Sequence, residues 1–147
     1  MTESLTDGVT LGIYEKALVG NRLATDDDWR RFLNQVPEAG FSFVDLSVDE
    51  SDERMARLGW EQNRRRMVRH CAEAAETVIG GVCLSVHRRI GPGSADPAVR
   101  QRARDVMAEG LRLCHDLGAP VLQVAGYYCY YEQMNDHAEQ WYTCLLY

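Results

Sequence analysis

The chain reads as an α/β protein in which parallel strands alternate with amphipathic helices. Three observations predict this. Short apolar runs begin near residues 9, 41, 82 and 121. A stretch with helical periodicity follows each of the first three. The intervals of 32, 41 and 39 residues each leave room for a strand, a helix and two loops. Apolar strands separated by helices imply a parallel sheet covered by those helices.

The first strand is "VTLGIY", residues 9–14. The first helix is "TDDDWRRFLNQVPEAG", 25–40. Thr25 with Asp28 three residues on has the spacing of a capping box. Trp29, Phe32, Leu33 and Val36 make one apolar face. Pro37 should weaken the last turn, and Gly40 suits a left-handed closing residue. "FSFVDLSV", 41–48, is the second strand, and 61–78 reads as the second helix, with a stripe from Arg64 through Met67, Val68, Cys71 and Ala75 to Val78. "GVCLSV", 81–86, is the third strand. Asp96 before Pro97 is a cap followed by a favoured first helical residue. Val99, Ala103, Val106, Gly110, Leu113 and Leu117 then alternate steps of four and three until Gly118. "VLQVA", 121–125, is the fourth strand.

Two architectures fit this order: a doubly wound open sheet and a TIM barrel. "LGIYEKALVGN" after the first strand has no G-x-G-x-x-G, which argues against dinucleotide binding. A barrel needs eight strands, so four make half of one.

The bulk numbers exclude some functions. The chain has 147 residues, 46% of them apolar, and a formal net charge of -6. That length suffices for one domain with a core, and the acidic balance argues against a nucleic-acid partner. No run reaches the roughly 18 apolar residues of a membrane span. The polar "MTESLTDG", 1–8, has no apolar signal region and reads as a flexible N-terminus. Five cysteines with no C-x-x-C pair read as reduced thiols of a cytoplasmic protein, not as a metal site.

In both architectures ligands bind at the carboxyl ends of the strands. There the chain places Tyr14, Glu15 and Lys16; then Ser47, Asp49, Glu50, Asp52, Glu53 and Arg54; then Ser85, His87, Arg88 and Arg89; then Gln123, Tyr127 and further tyrosines. Hydroxyl, carboxylate and guanidinium groups suit a polyol carrying a phosphate, and arginines grip phosphate through two hydrogen bonds. Each also has a structural reading: His87 as a hydrogen-bonded loop histidine, Arg88 and Arg89 as partners of carboxylates, "VDESDER" as a helix start, Tyr127 as packing. No nucleophilic triad, P-loop or H-E-x-x-H occurs.

"LGIYEKAL" (11–18), "FVDLSVDESDERMARLGW" (43–60), "CLSVHRR" (83–89) with "GS" at 93–94, and "VLQVAGYYCYY" (121–131) together resemble the L-ribulose-5-phosphate and L-xylulose-5-phosphate 3-epimerases. These are xylose-isomerase-like TIM barrels of carbohydrate and L-ascorbate catabolism. The resemblance implies that residues 9–131 are an N-terminal (βα)4 half of a TIM barrel. It implies reversible epimerisation at C3 of a phosphorylated ketose, with a divalent metal as Lewis acid and carboxylates moving the proton. The family's proton-transfer and metal-binding residues lie in the second half, so no catalytic or metal residue is expected before Tyr147. Tyr14, Lys16, Asp49, Glu50, Ser85, His87, Arg88 and Tyr127 are the expected substrate-binding residues. The resemblance leaves a hexulose-6-phosphate isomerase or another xylose-isomerase-like enzyme as a second expectation. A non-catalytic half-barrel that binds sugar phosphate or a partner chain is a third. An AP endonuclease would need more metal-binding histidines than four and a more basic face.

Residues 132–147 depart from the family pattern. "QWYTCLLY" carries no charge where an amphipathic helix and fifth strand are expected, which suggests a truncated or frame-shifted tail beginning near residue 139. A half-barrel has two unpaired edges, and a homodimer is one way to satisfy them.

Overall fold

A computed structural model describes residues 9–18 and 23–124. They form strands β1 (Gly12–Tyr14), β2 (Phe43–Ser47), β3 (Val78–Cys83) and β4 (Val121–Gln123) and helices α1 (Glu15–Leu18), α2 (Asp26–Glu38), α3 (Asp52–Met55), α4 (Gln62–Ala74) and α5 (Pro97–Leu117), with 3₁₀ turns at Ala56–Gly59 and Ser85–Arg88. The sheet order is β1-β2-β3-β4, and all three pairings are parallel. This is the alternating parallel architecture expected from the sequence.

The helices start where their caps demand. Thr25 Oγ1 accepts from the Asp28 amide at 3.2 Å, and Asp28 Oδ2 accepts from the Thr25 amide at 2.8 Å. That reciprocal box satisfies two amides at the start of α2 that have no partner inside the helix. Asp96 Oδ1 accepts from the Ala98 amide at 2.8 Å at the start of α5.

The helix ends share one geometry. Phe41 and Gly40 donate to Val36 and Pro37; Thr77 and Glu76 donate to Ala72 and Glu73; Ala119 and Gly118 donate to Cys114 and His115. Each set is a Schellman closure around a left-handed residue. Two of those residues are glycines, and the third is Glu76 at φ 51°. α4 therefore stops at Ala74, and β3 begins at Val78, three residues earlier than the expected 81. Val78 belongs to the sheet and not to the helical stripe.

Pro37 sits inside α2 and cannot donate to the Leu33 carbonyl. Thr77 Oγ1 donates to that carbonyl at 3.2 Å instead. The residue that leaves the α4 closure thus repairs the defect in α2.

Val44, Leu46, Ile79 and Val82 face α2, α4 and α5, where Trp29, Leu33, Val36, Val68, Val106 and Leu113 complete the core. Trp29 is fully buried, edge-on to Phe32 at 5.9 Å and to Trp60 at 5.6 Å. The opposite sheet face carries Phe43, Asp45, Val78 and Val121 around an open hollow of about 630 Å³. Phe43 lies against Gly12 and Gly80 of the flanking strands, where a side chain would collide with its ring. Between Val44 and Asp45 the β2–β3 register shifts by one residue, and Gly80 is the extra one.

α5 packs its Gly110 on Leu84, so a methyl there would stand 2.9 Å from Leu84 Cδ1. Alanine in a helix is favoured over glycine by about 1 kcal/mol. Forcing the fully buried Leu84 to move costs about 1–3 kcal/mol. Gly110→Ala should therefore lower the urea midpoint of unfolding; a raised midpoint would show that Leu84 yields freely.

Candidate functional site

The site is built at the carboxyl ends of β1, β2 and β3. β1 runs directly into α1, so Glu15 and Lys16 stand at its tip. Glu15 has no exposed surface. An isolated carboxylate there would carry a large desolvation penalty. Two arginines offset it. Arg54 Nε donates to Glu15 Oε1 at 2.6 Å, and Arg57 Nη1 donates to Glu15 Oε2 at 2.5 Å. Arg57 Nη1 also donates to the Ser47 carbonyl at 3.0 Å, so one guanidinium joins the ends of β1 and β2. Its Cζ lies 5.2 Å from the centre of the Trp29 ring and 5.8 Å from that of Trp60. Arg57 therefore also ties the strand ends to the helix layer.

Beside this buried hub lies a rung with a partly exposed cation and a buried carboxylate. Lys16 Nζ approaches Asp49 Oδ2 at 2.5 Å, with Arg54 Nη1 at 3.5 Å from the same oxygen. Ser51 donates to Asp49 Oδ1 from its amide at 3.0 Å and its hydroxyl at 2.5 Å. Burial acts to raise the Asp49 pKa, but the bonds from Lys16 and Ser51 outweigh it and hold it at about 2. A further rung joins β2 to β3: Arg88 Nε lies 3.0 Å from Glu50 Oε1, and Arg88 Nη2 donates to Glu50 Oε2 at 3.3 Å. Consecutive carboxylates of one loop thus reach in opposite directions, Asp49 to the β1 end and Glu50 to the β3 end.

The structure brings four expected residues, Lys16, Asp49, Glu50 and Arg88, together as two ion pairs. Tyr14 borders them, with Lys16 Nζ 5.8 Å from its ring centre. Burial pushes its phenol up to about 12, so it remains a hydrogen-bond donor at neutral pH. Ser85 and His87 are placed differently. Ser85 is buried and donates to the Val48 carbonyl at 3.5 Å. His87 is 2% exposed, and its Nε2 lies 3.3 Å from the Ala103 carbonyl of α5. A carbonyl only accepts, so Nε2 carries the hydrogen; burial lowers the pKa and keeps the ring neutral. Tyr127 lies outside the described residues.

Glu15 and Arg54 are among the strand-end groups of the sequence but not among the expected binding residues, and Arg57 is in neither set. Glu15 and Arg54 had one signal, their position after strands. Arg57 had none, because it falls on the buried side of an irregular turn in "DERMARLGW".

A divalent metal is implied by the fold family, and the described residues do not fit it. Among the described residues no three of His, Cys, Asp and Glu converge on one point. Glu15, Asp49 and Glu50 are each held by a cation. No chemical step is assigned to a metal.

The depressed Asp49 pKa has a pH signature. A carboxylate with a folded pKa near 2 and an unfolded pKa near 4 stabilises the fold above pH 4. That contribution disappears as the pH falls from about 4 to 2. Asp49→Asn should cost about 1–2 kcal/mol at pH 7 and much less at pH 2, discounted for partial solvent screening. Urea unfolding of both proteins at the two pH values measures this; an equal loss at both would remove Asp49 from the acid transition.

A family model for the xylose isomerase-like TIM barrel matches residues 33–145. A putative L-ribulose-5-phosphate 3-epimerase of Escherichia coli (strain K12) is 46% identical over 132 residues, covering 88% of this chain and 44% of that protein. An L-ribulose-5-phosphate 3-epimerase of Salmonella heidelberg (strain SL476) is 39% identical over 132 residues, covering 90% and 45%. The chain thus spans about half the length of the curated relatives it matches. Among solved structures, a D-psicose 3-epimerase in the presence of D-fructose superposes with a TM-score of 0.66 at 12% identity, over 89% of this chain and 43% of that one. A D-psicose 3-epimerase with D-tagatose from Clostridium cellulolyticum H10 gives 0.66 at 14%, over 94% and 46%. At such identities the superpositions speak for the fold alone: four parallel strands with their helices match part of a barrel. The chain belongs to the xylose isomerase-like TIM barrel family.

Proposed function

We propose that this chain is the substrate-holding portion of a sugar-phosphate 3-epimerase acting on a ketopentose 5-phosphate, with L-ribulose and L-xylulose 5-phosphates as the interconverted pair. One observation carries the reading: cations and carboxylates alternate across three successive strand ends, on the face where barrels of this family bind ligands. The names of the relatives support the same substrate class.

Each residue has a role its geometry supports. Lys16 and Arg88 are about a third exposed and stand at the rim. A phosphate can replace a carboxylate oxygen on either cation without moving the cation, and the Arg88 fork suits two phosphate oxygens. Asp49 and Glu50 accept from sugar hydroxyls, and the Tyr14 phenol donates. Ser85 and His87 fix the loop that carries Arg88. Tyr127 joins the proposal through its place after β4 in the sequence.

Removal of the C3 proton needs a base of matched pKa within reach of that carbon. Among the described residues Glu15, Asp49 and Glu50 are each paired with a cation, and the partners of Asp49 hold its pKa at about 2, which makes it a poor base. Proton transfer is therefore assigned to groups outside these residues. The same observation favours a second reading, a non-catalytic half-barrel that binds sugar phosphate. Incorporation of solvent deuterium at C3 by the purified chain would exclude that reading. The free thiols Cys71, Cys83 and Cys114 suit a reducing cytoplasm.

Calorimetric titration of the chain with L-ribulose 5-phosphate and with L-ribulose tests the phosphate role. Arg88→Met should weaken the phosphorylated sugar by about tenfold or more, the effect of losing a charged hydrogen-bond pair. Affinity for the free sugar should stay unchanged. Equal loss for both sugars, or none for either, would remove Arg88 from phosphate binding.

A further inference from the structure

Three buried side-chain atoms make no hydrogen bond among the described residues: Trp29 Nε1, Ser47 Oγ and Arg65 Nε. Of these, Ser47 stands at a strand end. Its backbone is fixed, because its carbonyl accepts from Arg57 Nη1 at 3.0 Å. Its side chain has no exposed surface. A buried hydroxyl without a partner costs free energy, and native structures rarely leave one so.

The sheet register shows which group can satisfy it. Tyr14 of β1 is level with Asp45 of β2, and Ser47 of β2 is level with Cys83 of β3. Side chains alternate along a strand, so Asp45 and Ser47 share a face, and their register partners Tyr14 and Cys83 share it with them. A tyrosine reaches the diagonal neighbour two residues further along the next strand, and for Tyr14 that neighbour is Ser47. Burial raises the Tyr14 pKa, and the Cys83 thiol and Glu15 carboxylate act in the same direction. The Ser47 hydroxyl opposes them, as a donor near the phenol oxygen should. Lys16 Nζ stands 5.8 Å from the ring centre.

We infer that Ser47 is a positioning residue for the Tyr14 phenol, accepting its hydrogen when no sugar is bound and donating its own when a sugar oxygen takes that hydrogen. The inference rests on the sugar-binding role proposed for Tyr14. Each hydroxyl has one hydrogen to give and can also accept. The phenol is the more acidic of the two, so without a ligand it donates, and the Ser47 hydrogen is left over. A sugar oxygen that accepts from the phenol frees Ser47 to rotate and donate to the phenol oxygen. The leftover hydrogen gains a partner, and the chain from Ser47 through Tyr14 to the sugar polarises along its length. The Cys83 thiol is too weak a donor to replace Ser47.

Two measurements on the full 147-residue chain test this pairing, one of them without a sugar. In chain labelled with 3-fluorotyrosine, the Tyr14 fluorine resonance is the one that Tyr14→Phe removes. Ser47→Ala should move its titration midpoint upward by about 0.5–1 pH unit, the effect of one lost hydrogen bond. In calorimetric titrations with L-ribulose 5-phosphate, Ser47→Ala should weaken binding about three- to tenfold. The same substitution in a Tyr14→Phe background should change nothing, because no phenol is left to position. If Ser47→Ala does not fold by far-UV circular dichroism, Ser47→Cys, a weaker donor of similar shape, takes its place. An unmoved midpoint overturns the inference. So does an affinity that Ser47→Ala leaves unaltered, or lowers equally in both backgrounds. A moved midpoint in a chain that binds no L-ribulose 5-phosphate upholds the pairing and overturns the proposed substrate instead.

Discussion

Everything at the strand ends depends on one buried carboxylate. Glu15 is fully enclosed at the tip of a three-residue strand, which supplies little stability of its own. It is tolerated because Arg54 and Arg57 meet its two oxygens at 2.6 and 2.5 Å. Buried pairs of this kind contribute modest net stability, yet removing one partner strands the other charge. The constraint is therefore mutual. α3 and the turn after it must stay where they are for Glu15 to be satisfied, and β1 must stay for the arginines. Arg57 extends the constraint through the Ser47 carbonyl and the Trp29 and Trp60 rings into the core.

The neighbouring ion pairs inherit their positions from this hub. Lys16 follows Glu15 directly, and Arg54 touches both Glu15 and Asp49. Asp49 and Glu50 are adjacent, so fixing one fixes the other's reach towards Arg88. A rigid array of this kind is pre-paid in conformational entropy: a phosphate entering it need not order the cations it meets. The bonds from Lys16 and Ser51 that fix Asp49 also hold its pKa at about 2 and make it a weak base, which is why holding a substrate and moving a proton fall to different groups.

Much of the fold was legible in the sequence because local chemistry agreed with the final structure. Thr25 with Asp28, Asp96 with Pro97, and Gly40 and Gly118 each announced a helix boundary that the backbone adopts. The α4 end was not legible, because Glu76 takes the left-handed position that glycine usually marks. The face of Ser85 and His87 was not legible either. A 3₁₀ turn over Ser85–Arg88 replaces the last part of the expected strand, and with it the alternation that would have aimed both side chains. Lys16, Asp49, Glu50 and Arg88 were found by position at strand ends; their pairing was not, since parallel register decides which loops are neighbours. Arg57 was invisible because burial of a charge leaves no periodic signature.

The most direct test of the hub is a double-mutant cycle on the unfolding free energy at neutral pH, using Glu15→Gln, Arg57→Met and both together. A buried pair at 2.5 Å should give a coupling of about 2–3 kcal/mol, the double variant being far less damaged than the sum of the singles. Additive losses would contradict the account, showing that Glu15 and Arg57 do not depend on each other.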